Sequence, residues 1–265
     1  MHPTKTQSSQ PAYRKLHGTT GWLFVICGLV CLTLLWFVSG PIPQDLQYHD
    51  FADQRPIFWI PHALNVISNA FFLLAGCLGL WSLRQRRLDA PEHRGLYAVF
   101  FVGIGLIGLG SAYYHWSPDN VTLVWDRLPM TLGFMAFTAL VFYERVSRTM
   151  GKTMFPWLIL LGLFSVIYWA VTDDLRPYAA VQFIPMLALP FVIWFTNGPG
   201  TNWLWLTLAC YAIAKLLDVN DQAVMDLSAG LISGHTLKHM VAALGALMVA
   251  SKVRCGEVDI PDKES

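Results

Sequence analysis

The chain has 265 residues, of which 55% are hydrophobic and only 13% charged. A soluble domain carries about twice that charge, so the composition points to an integral membrane protein. The formal net charge of +1 gives no basic footprint for nucleic acid, and five cysteines without a CxxC pair indicate neither a disulfide framework nor a thiolate zinc site.

Residues 1–20 are polar and are predicted to form a tail. The first apolar run comes later than the core of a cleavable signal peptide would, so it is read as a retained helix. A spanning helix needs roughly 20 mostly apolar residues. Eight stretches are predicted to span: 21–40, 61–83, 96–116, 121–143, 154–171, 178–195, 202–218 and 231–250. The runs are long and do not alternate, which argues against a β-barrel. The predicted fold is an all-α integral membrane protein, closing with a tail at 252–265.

Loop charges set the predicted orientation. Lys5, Arg14, Lys15, Arg84, Arg86, Arg87, Arg94, Arg145, Arg148, Lys152, Lys252, Arg254 and Lys263 all fall on one side of an eight-span chain. The other side holds only Arg55 and Arg176, and it is acidic. Both termini are therefore predicted cytoplasmic. The short loops suggest a bacterial inner membrane.

Several ionisable residues fall inside the spans. The third span runs outward and ends "GLGSAYYH", with Ser111 and His115 one turn apart. A turn at Pro118, Asp119 and Asn120 leads into the fourth span, where Asp126 sits about 9 Å down. Ser111 sits at about the same depth on its neighbour. The last span opens "SGHTLKHM", so His235 and His239 also share a face near the outer end.

Ionisable groups inside a membrane are costly and mark function by default. Three imidazoles suit zinc with an open position for water, and an i, i+4 pair gives two ligands from one helix. A nearby carboxylate then suits general base and acid work, and a serine suits an oxyanion donor. Blander roles exist for each residue alone. A single histidine at a helix end is usually interfacial, Ser111 can bond its own helix, and Asp126 can simply pair with Arg127.

Asn65, Ser68 and Asn69 share one face of the second span and are expected to hydrogen-bond neighbouring helices. His62 precedes them, with an interfacial role more natural than a metal one. Lys215 and Asp218 are expected to pair. A retinal Schiff base at Lys215 would leave the three histidines without a role.

"NVISN", "GLGSAYYH", "WDRLPM" and "SGHTLKH" together resemble the alkaline ceramidase family, including the alkaline phytoceramidase-like proteins. That family lies in a wider superfamily of seven-helix membrane hydrolases that includes the progestin and adipoQ receptors. The resemblance covers about residues 61–251 and implies a seven-helix hydrolase core, with 21–40 as an extra N-terminal helix. It implies His115, His235 and His239 as zinc ligands, Asp126 as the group that activates water and Ser111 as the oxyanion donor. Asn65, Ser68, Asn69, Arg127, Lys215 and Asp218 become site neighbours. The implied reaction is hydrolysis of a ceramide-like lipid amide to a sphingoid base and a fatty acid; the loop charges predict the site toward the outer leaflet.

Two departures stand out. Eukaryotic members bind calcium through acidic residues around the start of the first core helix. Asp45, Asp50 and Asp53 are available here, but His62 stands at the helix-start position, which argues against calcium. Arg127 stands where animal enzymes favour a carboxylate, which bears on the substrate more than on the chemistry. The competing functions are a receptor with a structural zinc site and a transporter with a polar pathway. A transporter predicts polar residues through the whole thickness rather than at one end.

Overall fold

The computed structural model describes residues 23, 26–28, 30, 33, 34, 36, 38–86, 88, 91–196 and 201–255. The described residues of the predicted first span are helical as far as Val38, while Ser39 and Gly40 are not; its other residues and both extreme tails lie outside the described residues. A loop with one turn of 3-10 helix (Leu46–His49) leads to α1 (Ala63–Ile67) and α2 (Ala70–Gln85). The long helices α3 (Pro91–Trp116), α4 (Asn120–Arg145), α5 (Arg148–Thr172), α6 (Arg176–Phe195) and α7 (Asn202–Val219) follow. Short α8 (Asp221–Leu227) then leads to α9 (Gly234–Cys255).

This is an all-α membrane fold. The stretches Ala63–Gln85, Pro91–Trp116, Arg148–Thr172, Arg176–Phe195 and Gly234–Cys255 are long and apolar enough to cross a membrane. Helices α4 and α7 are also long but carry Asp126, Arg127, Lys215 and Asp218. Leu160, Phe164, Ile167 and Val171 of α5 and Leu187, Phe191 and Trp194 of α6 are exposed, as expected where lipid is the solvent. Helix α9 packs against both α2 and α7, α2 against α3, and α3 against α4, while α6 and α7 touch sparsely.

Four predicted spans are corrected. The second span is broken at Ser68 and Asn69, because both side chains donate to the Asn65 carbonyl at 3.1 and 2.7 Å. Such bonds compete with the helical ladder. The third and fifth spans begin earlier, at Pro91 and Arg148; Ser147 caps the latter by accepting from Met150 N. The last helix begins at Gly234, not 231, and continues to Cys255.

Lys252 is therefore no tail residue. It is buried and paired with Glu144, which also meets His93 Nε2 at 2.9 Å and accepts from Tyr97 Oη at 2.6 Å. Both arginines on the acidic side are paired locally: Arg55 with Asp53 and Arg176 with Asp174. Arg176 also donates to the carbonyls of Trp36 and Ser39 and lies 4.1 Å over the Trp36 ring, which ties the N-terminal helix to α6.

The α3–α4 hairpin is closed by a capping box: Thr122 N donates to Asp119 Oδ1 at 2.7 Å, and Asp119 N donates to Thr122 Oγ1 at 3.1 Å. That bond to Thr122 holds the Asp119 carboxyl below its ordinary range. Below the turn, Gly110 lets the helices meet backbone to backbone; a Cβ there would lie 1.9 Å from the Trp125 carbonyl oxygen. Gly110 and Trp125 directly precede Ser111 and Asp126. Gly110→Ala is therefore expected to destabilise the fold by about 1–3 kcal/mol or more. Thermal unfolding in detergent would register it as a lowered midpoint, and an unchanged midpoint would contradict the contact.

Candidate active site

His115, near the end of α3, and His235 and His239, in the first turns of α9, converge at one end of the bundle. All three are buried, and one ring nitrogen from each lies within 4.8 Å of the others. His115 Nε2 and His235 Nε2 are 3.2 Å apart. Among the described residues this is the group that could hold a metal ion.

Neighbours orient two of the rings. Ser68 Oγ donates to the Asn65 carbonyl and lies 2.8 Å from His239 Nδ1. With its proton already committed, the hydroxyl is left to accept from Nδ1, which frees Nε2 as a ligand. His235 Nδ1 lies 3.3 Å from both Asp218 Oδ1 and Lys238 Nζ, which turns Nε2 toward His115. Lys238 at 2.9 Å and Lys215 at 3.0 Å hold Asp218 in place. Asn65 Oδ1 accepts from Thr236 Oγ1 at 2.7 Å, linking α1 to α9.

The start of α9 is fixed by close contact. A Cβ on Gly234 would lie 2.3 Å from the Leu217 carbonyl oxygen. His235 N donates to Asp221 Oδ1 at 2.7 Å, while Asp221 Oδ2 takes Ala52 N at 2.9 Å. This carboxylate ties the 39–62 loop to the histidine helix. The loop then lays Phe51 over the cluster, its centroid 4.7 Å from His115 and 4.5 Å from His235.

Beside the histidines lies a cavity of about 350 Å³. Ser111, Asp126, His239, Lys238 and Asp218 line its polar end. Phe100, Ile104, Phe137, Leu208 and Ala246 line the part that runs toward the opposite end of the bundle. Ser111 faces the buried Asp126 carboxyl. Phe183 of α6 lines the cavity and is also 45% exposed, so one side chain separates the cavity from the outer face of α6.

The residues singled out in the sequence thus divide. Ser111, Asp126, Arg127, Lys215, Asp218 and His239 line the cavity. Asn65, Ser68 and Asn69 stand behind the histidines, and His62 Nδ1 meets the His115 carbonyl at 3.0 Å. Arg127 forms no ion pair with Asp126 among the described residues; it donates to Gln44 Oε1 at 2.6 Å.

The acidic residues before α1 are used one by one. Asp45 caps the 3-10 turn, Asp50 accepts from Gln54, and Asp53 accepts from Arg55. The bond from Arg55 holds Asp53 below the usual carboxylate range. Gln44, Tyr48, Phe51, Asp221 and Lys238 were missed. Lys238 had a visible signal, standing three residues after His235 inside the histidine motif; the loop residues had none.

Fold and site define a helical membrane protein with a buried three-histidine centre, an adjacent carboxylate and an apolar cavity of lipid-tail character. The family comparison is more particular. A family model described as Ceramidase matches residues 58–197, more than half of the chain, and the chain belongs to the ceramidase family. No curated protein matches it. The matched segment includes Ser111, His115 and Asp126 and ends before α9, so His235 and His239 join the site through geometry. Membership implies an amidohydrolase acting on a lipid such as ceramide.

Proposed function

We propose that the protein is a zinc-dependent intramembrane amidase that cleaves ceramide or a related lipid amide. The observation that carries this reading is the buried triad of His115, His235 and His239 at the polar end of the apolar cavity. The donor set suits zinc: two nitrogens bound tetrahedrally at 2.0–2.1 Å stand about 3.4 Å apart, close to the 3.2 Å between His115 Nε2 and His235 Nε2. Zinc held there would supply a Lewis acid that polarises the amide carbonyl and acidifies water.

The chain's own groups do the rest. Asp126 takes the proton of the attacking water as the C–O bond forms, then delivers it to nitrogen as the C–N bond breaks. Ser111 donates to the developing oxyanion. The products are a free amine and a fatty acid, so one water is consumed per amide. The apolar end of the cavity receives the acyl chain, and lipid enters from the side past Phe183. Phe51 keeps bulk water from the histidines. The loop charges support an orientation with both termini cytoplasmic and the site toward the outer leaflet, and the short loops favour a bacterial inner membrane.

The test is fatty-acid release from defined ceramides by reconstituted, zinc-loaded protein. Release is expected, and none from folded, loaded protein would sink the reading. Ser68→Ala is expected to weaken zinc about 10–100-fold, since it removes the partner of a ligating imidazole. Chelator competition measures this, and unchanged affinity would remove Ser68 from the site.

A further inference from the structure

Arg127 is a buried cation whose partners among the described residues are all neutral. Its side chain is 4% exposed on a residue basis and lines the cavity. Its guanidinium lies over three rings, 4.1 Å from Trp169, 4.7 Å from Tyr178 and 5.5 Å from Tyr48. One terminal nitrogen donates to Gln44 Oε1 at 2.6 Å, and the other, Nη1, is buried without a hydrogen-bond partner among the described residues. Among the described residues no carboxylate lies within 4.0 Å of it. The two lysines on the same cavity wall are satisfied by Asp218, but Arg127 is not.

A guanidinium stays protonated in a protein. Burying it against rings and one amide leaves charge uncompensated, and an unpaired buried charge is costly. The whole cavity shares this bias: Arg127, Lys215 and Lys238 face only Asp126 and Asp218, before any metal is counted. Rings hold the planar fork in place, and the buried Nη1 is a donor without an acceptor, the kind of group that suits an oxyanion. Gln44, Tyr48, Trp169 and Tyr178 group Arg127 with the histidine end of the cavity, and the apolar end is left for the acyl chain.

Resting on the amidase reading, we propose that Arg127 docks an anion carried by the amine half of the substrate. The preferred substrate is then a lipid amide with a carboxylate, sulfonate or phosphate close to the amide nitrogen, rather than a neutral ceramide.

The probes are N-dodecanoylglycine and its neutral analogue N-dodecanoylglycinamide, compared by equilibrium binding in detergent and by kcat/KM. Wild-type protein is expected to favour the anionic probe about tenfold to a hundredfold. Arg127→Gln is expected to erase that preference, and Arg127→Lys to restore part of it. Binding is repeated on zinc-stripped protein, where an anion held by the metal would be lost and one held by Arg127 would remain. Equal affinity of wild type for both probes overturns the proposal without any variant. So does a preference that survives Arg127→Gln or vanishes with zinc. Dodecanoate bound as tightly as N-dodecanoylglycine and with the same Arg127 dependence would assign the anion site to the fatty-acid product, and would overturn it as well. Ceramide hydrolysis without anion preference leaves the amidase reading intact; Arg127-dependent binding of N-dodecanoylglycine without hydrolysis of any amide would sink the amidase reading and keep the anion site.

Discussion

Asp126→Asn is expected to keep its zinc and lose its turnover, with fatty-acid release falling on the order of 10²–10⁴-fold. The asparagine has nearly the same size and can still meet Ser111, so packing against α3 is preserved. It cannot take up a proton, and the attacking water then has no base. Asp126 is not among the residues that could hold the metal, so metal content should stay near one zinc per chain. Metal analysis beside the release assay separates the two effects. A fully active Asp126→Asn protein would move the base elsewhere in the cavity. A protein that lost zinc as well would make Asp126 part of the metal site.

His239→Ala should do the reverse and take bound zinc from about one per chain to near none, because two imidazoles do not complete a three-ligand site. The change also strands Ser68, whose oxygen accepts from that ring. His235→Ala should act alike, with Asp218 left to its two lysines. Both losses should appear as zinc content before activity is assayed. Full zinc and full activity in either variant would refute the ligand set. A receptor with a structural zinc site shares the zinc result but predicts no fatty-acid release from the wild type, so the two experiments together choose between the functions.

Much of this was legible in the residues. The length of the apolar runs located the helices, and the four-residue spacings of Ser111 with His115 and His235 with His239 put each pair on one face. Depth followed from counting down from the Asp119 turn. Facing was harder to read. Spacing says which residues share a face, not which neighbour the face meets: Ser68 does bond a neighbouring helix, but only packing shows that its partner there is His239. Lys252 looked like a loop cation because its partner, Glu144, is more than a hundred residues away. Phe51 and Gln44 come from an irregular loop, where no periodicity reports direction. The Arg127 cage draws its rings from that loop, α5 and α6, a meeting that only tertiary packing creates.

The N-terminal helix, clipped to α6 through Arg176, gives the loop after it a fixed point of departure. That loop supplies Gln44 and Tyr48 to the Arg127 cage and Phe51 to the histidines. A truncation starting at Pro61 would retain every residue assigned to bond breaking while removing the cover and one wall. It should fold less securely, leak water into the metal centre and lose its discrimination among substrates. The family-matched segment, 58–197, omits that wall at one end and two histidines at the other. The unit proposed to work is wider than the segment that the family model matches, and engineering on this scaffold should take the wider one as its module.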